Sequence, residues 1–140
     1  MAGYSGTPLV KKLGLCAGQA ALLLEVPDTA AEIGAFEAFA HSETRLPEVA
    51  SRRFDYIHLF TKERAALEAI APQLLANLRP DGMLWISWPK KASKVVTTIT
   101  EDVLRAVLLP LGVVDVKVAA IDATWSGLKF VIRKELRAAL

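Results

Sequence analysis

Three short apolar runs constrain this chain more than anything else in it: "QAALLLEV" (19–26), "FDYIHLF" (54–60) and "MLWISW" (83–88). None alternates apolar with polar residues, as a strand with one wet face would, so each reads as a strand buried on both sides. Helical signals separate them. Strands of this kind alternating with helices build a parallel sheet with right-handed crossovers, so the expected class is α/β with helices on both faces.

The helices carry their own punctuation. In "TPLVKKLG", Thr7 is placed to cap, Pro8 to take the first helical position and Gly14 to close. Thr29 and Glu32 have the spacing of a capping box, which starts a second helix at Thr29. Leu67, Ile70, Ala71, Leu74, Leu75 and Leu78 recur at helical spacing over about residues 62–78, where Pro72 is predicted to kink or split the helix. "RPDG" follows as a turn. Thr100 caps a further helix that Pro110 and Gly112 bring to a stop.

Residues 37–53 are the least patterned: "EAFA" has the look of a short strand and the rest of a polar loop with a turn of helix. After residue 112, "VVDVKVAAI" alternates, with Val114, Val116 and Val118 on one side and Asp115 and Lys117 on the other. "LKFVIRK" alternates too, with Leu128, Phe130 and Ile132 inward. The connection between these two runs is too short for a parallel return, so they pair antiparallel.

A length of 140 residues fits one domain, residues 1–140. No apolar run approaches the ~20 residues that cross a bilayer and no signal peptide opens the chain, so a soluble, cytoplasmic protein without membrane attachment is expected. The lone Cys16 excludes an internal disulfide and is expected to be a small buried hydrophobe. A net charge of +2 gives no global field for nucleic acid, so any basic site is local. Nothing in the sequence excludes a homo-oligomer.

A parallel sheet finished by an antiparallel pair resembles the Rossmann-like fold of class I S-adenosylmethionine (SAM)-dependent methyltransferases. "FDYIHLF" is similar to that family's fourth strand, "LRPDGMLWIS" to its turn and fifth strand, and "LGVVDVKVAAID" and "WSGLKFVIRK" to its last two. The resemblance implies a truncated Rossmann-like three-layer sandwich, its mostly parallel sheet ending in an antiparallel C-terminal hairpin. The family's first strand leads through an acidic residue into a glycine-rich cofactor loop. Here the acid falls on Glu25 and the three glycine positions on Pro27, Thr29 and Ala31, none of which keeps glycine. The family also has an acidic residue ending a later strand that holds the ribose hydroxyls, and between Pro27 and Arg53 at most one short strand fits. The whole chain is similar, besides, to a small bacterial family of domains of unknown function, through "GYSGTPLVKKLG", "DGMLWISWPKK" and "WSGLKFVIRK"; this resemblance implies the fold and no activity.

Ligands of open α/β sheets bind beyond the carboxyl ends of the strands, near the switch point of the strand order. "WPKKASK" leaves the third central strand there, so Lys90, Lys91 and Lys94 are candidates to hold a phosphate or carboxylate, with Trp88 as an apolar wall or stacking surface. His58 is a candidate base, though a hydrogen-bonded core histidine is the simpler reading. Asp55, three residues away in the same strand, points to the opposite face and cannot pair with it. His41 reads as an exposed loop residue. Ser5, Thr7 and Ser87 are nucleophiles only if a base lies beside them. Trp125, Ser126 and Gly127 read as a hairpin loop, with the indole packed over the sheet end. Two histidines and one cysteine leave no basis for a metal site.

The expected function is that of a degenerate, non-catalytic methyltransferase-like module binding a small anionic ligand or a protein partner, with no cofactor. The alternative is a SAM-dependent methyltransferase with an altered cofactor loop. Nucleic-acid binding, through the same lysines joined by Lys11, Lys12, Arg52 and Arg53, is the third reading and is opposed by the dispersal of these charges.

Overall fold

The computed structural model describes residues 8–140; Ser5 and the cap assigned to Thr7 lie outside them. Six strands, β1 (Ala20–Leu24), β2 (His41–Glu43), β3 (Phe54–Phe60), β4 (Leu78–Pro89), β5 (Val113–Ala120) and β6 (Trp125–Ile132), form one sheet in the order β2-β1-β3-β4-β6-β5. The first four run parallel, β6 lies antiparallel to β4, and β5 antiparallel to β6. The α/β class and the closing hairpin are as the sequence predicts.

Helices α3 (Arg64–Asn77) and α4 (Glu101–Leu108) cover one face, where Leu67, Leu74, Leu104 and Leu108 pack on Leu22, Ile57, Leu84 and Phe130. The other face packs α1 (Leu9–Leu13) and α2 (Ala31–Gly34), through Leu9, Leu13 and Ile33, against Tyr56 and Trp85. Trp85 and Trp88, three apart in β4, fall on opposite faces, as strand geometry requires. Thr100 caps α4, its hydroxyl accepting the Val103 N–H. A last helix, α5 (Lys134–Arg137), closes the chain, and among the described residues no helix is long and apolar enough to cross a membrane.

Several local expectations are corrected. Pro72 does not split α3: its side chain is exposed, while Leu67, Ala71, Leu74 and Leu75 on the buried face hold both halves to the sheet. "RPDG" is no separate turn, because β4 starts at Leu78, directly after α3. Its residues form a bulge, so that Phe54 pairs with Leu78 but Tyr56 with Met83. Gly82 is required there, since a Cβ would lie 3.1 Å from the carbonyl oxygens of both Phe54 and Asp55.

The Thr29–Glu32 capping box is not formed. Thr29 sits inside a 3-10 turn (Asp28–Ala30), and α2 has only four residues, with no side-chain cap. Pro8 precedes α1 rather than opening it, while Gly14 closes it with φ 77°. The short strand is His41–Glu43, not "EAFA". Cys16 is exposed, because Leu15 takes the inward position beside it. In β5 a bulge between Asp115 and Lys117 sends these two side chains to opposite faces, one to Arg105 of α4 and the other to the Lys12 carbonyl of α1. Val114, Val116 and Val118 are left exposed on the sheet's outer strand.

Candidate functional site

The strand order turns back between β1 and β3: β1 has β2 on one side and β3 on the other. A crevice is expected beyond the carboxyl ends of such a pair. One of about 380 Å³ lies there, lined by Glu25 and Pro27 after β1, Phe60, Lys62 and Glu63 at and after the end of β3, and Trp125 at the start of β6.

The chain leaves β1 through Glu25, whose φ of 59° is left-handed. That conformation is costly for a residue with a side chain and is the one glycine adopts freely. Pro27 is extended and the 3-10 turn follows, so the segment that replaces the glycine loop takes a route of its own.

Asp122 ties this segment to the β5–β6 connection. One carboxylate oxygen accepts the backbone N–H groups of Thr124 (2.8 Å) and Trp125 (2.7 Å). The other accepts the Thr29 hydroxyl at 2.8 Å. Trp125, Ser126 and Gly127 therefore belong to β6 and not to the connecting loop, and Trp125 packs over the sheet end, edge-to-face on Phe60 with centroids 5.2 Å apart. Gly127 is close-packed, since a Cβ would lie 3.1 Å from the Trp85 ring.

The second short strand ends in an acid, Glu43, but the register pairs it with Leu22, two residues below the end of β1. Its carboxylate accepts from His41 Nε2 at 2.6 Å and pairs with Arg53 at 2.8 Å. The hydrogen bond from His41, with Arg53 beside it, holds the Glu43 carboxyl below its usual range. It is thus engaged away from the crevice, and His41 lies on an edge strand instead of in a loop.

A second and larger cleft, about 650 Å³, opens beyond β4. Trp88, Lys91 and Lys94 line it together with Val95, Ile99 and Glu101. Lys90 does not: its backbone N–H donates to the Thr124 carbonyl at 2.7 Å and its side chain lies outside the cleft. Trp88 is only 7% exposed, so it forms a floor and not a stacking platform. The cleft stands one strand away from the switch point where the lysines are expected. The two clefts share a wall, because the Thr97 hydroxyl and the Thr98 N–H both donate to the carbonyl of Lys62. Arg52 sits at the other end of the sheet, donating to the carbonyls of Leu75 and Leu78.

His58 is buried, and one pair escapes a reading of the sequence: its Nε2 lies 2.7 Å from Ser87 Oγ, and its Nδ1 2.8 Å from the Tyr56 hydroxyl. Burial pushes the His58 pKa down to about 3 and that of Tyr56 well up. Ser87 does have a base beside it. Neither side chain is exposed, so no substrate reaches them and the pair is part of the core. Asp55 is apart from His58 and accepts the Ala20 N–H, joining β3 to the start of β1. Among the described residues no three His, Cys, Asp or Glu side chains converge on a metal position.

No protein-family model matches the chain, and no curated protein does. Solved structures match over most of their length. A SAM-dependent methyltransferase from Aquifex aeolicus has a TM-score of 0.61 at 11% identity, over 89% of this chain and 87% of that one. Magnesium protoporphyrin IX methyltransferase from Synechocystis PCC 6803, with bound SAM, gives 0.58 at 13%, over 89% and 74%. A putative type 11 methyltransferase from Sulfolobus solfataricus gives 0.56 at 10%, over 90% of each. At these identities the likeness is one of architecture: this chain has the Rossmann-like fold of class I SAM-dependent methyltransferases, in a 140-residue form.

Proposed function

We propose that the protein is a methyltransferase-like module that binds SAM in the crevice between β1 and β3, with a rebuilt cofactor loop. The observation that carries this reading is the left-handed Glu25 at the mouth of a crevice on the switch point of the sheet. Glu25 makes, at a cost, the kind of backbone turn for which glycine is otherwise used.

The lining suits the group in charge and shape. SAM has a sulfonium and an ammonium against one carboxylate, so its net charge is positive. Glu25 and Glu63 against the single cation Lys62 leave the lining net negative, and Phe60 and Trp125 supply an apolar wall for a purine. The ribose contact would have to come from these residues, since Glu43 is held by Arg53. When bound, SAM supplies an electrophilic methyl group; the chain's part is to bind and orient it at the carboxyl edge.

Calorimetric titration with SAM and with S-adenosylhomocysteine tests the reading. Dissociation constants in the micromolar range are expected, and weaker binding of both by Glu25→Gln. A blank at millimolar ligand with folded protein would overturn it. That result would favour instead the non-catalytic module serving a small anion or a protein partner, a reading supported by the side chains at Pro27, Thr29 and Ala31.

A further inference from the structure

We propose that the cleft beyond β4 is a second ligand site, built for a small organic anion whose charged head lies between Lys91 and Lys94 and whose apolar body lies over Trp88. It stands independently of SAM binding in the crevice.

The lysines are brought together by local geometry. After β4 the chain makes a 3-10 turn (Lys91–Ser93), fastened by the Ser93 hydroxyl donating to the Lys90 carbonyl at 2.6 Å. Lys91 opens this turn and Lys94 follows it in a left-handed conformation, which reverses the chain so that both side chains line the cleft. Lys90 precedes the turn in extended conformation and its side chain lies outside the cleft.

The two ammonium groups are also without counter-charges. Among the described residues, neither Lys91 nor Lys94 has a carboxylate within ion-pair distance. The one acid lining the cleft, Glu101, is engaged by Arg105 at 2.8 Å. Lys94 is held in a left-handed conformation, φ 60°, one of two side-chain-bearing residues in that state in the described chain. The other is Glu25, at the first crevice. Backbone strain of this kind collects at ligand sites.

The floor is apolar, formed by Trp88, Val95 and Ile99, and the cleft's 650 Å³ falls in the range of about 300–1,000 Å³ typical of small-molecule sites. A bare inorganic anion would use the lysines and leave this floor wet. A phosphomonoester or carboxylate on an aromatic or aliphatic body uses both.

The test is calorimetric titration of the full chain with phenyl phosphate, inorganic phosphate and a short single-stranded oligonucleotide, at low and at physiological salt. Phenyl phosphate is expected to bind more tightly than inorganic phosphate. Lys91→Gln and Lys94→Gln should each weaken it by about tenfold, the scale of one lost charge-assisted hydrogen bond. Lys90→Gln should leave it unchanged, and SAM titrations should be the same in all three variants. Absence of phenyl phosphate binding at millimolar concentration would overturn the proposal, as would equal losses at Lys90 and Lys91. Tighter binding of the oligonucleotide with a steep salt dependence would assign the lysines to a nucleic-acid backbone and overturn it as well.

Discussion

The Nε2 of His58 and the Oγ of Ser87 lie 2.7 Å apart inside the sheet, with no solvent access to either. In a cleft such a pair would suggest a nucleophile and its base. Here, closed by Tyr56 at the other ring nitrogen, it is a satisfied polar chain whose consequences are for stability.

The pH dependence follows from burial. The folded-state pKa of His58 is held at about 3, while the unfolded chain titrates near 6.5. As pH falls below 6.5 the unfolded state takes up a proton that the folded state refuses. Stability is therefore expected to be lost between about pH 6.5 and 3, by up to about 1.4 kcal/mol per pH unit from this group. Urea midpoints measured from pH 7 to pH 4 should show the decline, and His58→Gln should flatten it. Ser87→Ala, which orphans one ring nitrogen, should cost about 1–3 kcal/mol at pH 7.

Glu25→Gly should raise stability and lower affinity together. Glycine accepts the left-handed conformation without strain, so a gain of up to about 1 kcal/mol in chemical denaturation is expected. The same change removes a carboxylate from the crevice and should weaken SAM. If stability falls on substitution, Glu25 is not strained.

Asp122→Ala should cost about 2 kcal/mol or more, because it leaves the Thr124 and Trp125 N–H groups without their acceptor. Thr29→Val removes only the tie to the segment after β1 and should cost about 1 kcal/mol, read from thermal and urea unfolding. Equal losses in the two variants would mean that the loop tie, and not the turn at Asp122, sets the stability of this edge.

Much of the architecture is written in local pattern. The three buried strands lack alternation, and the short link before β6 forces an antiparallel return. What escapes the sequence depends on distant partners. β2 is three polar residues whose one strand partner is β1 and whose Glu43 is held by Arg53. The "RPDG" bulge is fixed by the carbonyls of Phe54 and Asp55, and the His58–Ser87 contact by the register of β3 on β4. The lysines are a middle case: their place at the carboxyl edge is legible, but which two line the cleft is decided by the 3-10 turn and the left-handed Lys94 that ends it. The pattern likewise shows the loss of three glycines and not that Glu25 takes up the left-handed turn.

The bulge in β5 makes Val116 the one residue of its strand that can be replaced or lost with little consequence. Its side chain is 52% exposed, so most replacements should pass unnoticed. Deleting it would leave Asp115 and Lys117 as neighbours opposite Phe130 and Lys129, on opposite faces as in any regular strand, with the anchors to α4 and to α1 both kept. In an unbulged strand a missing codon turns every later side chain over. Here the bulge absorbs it.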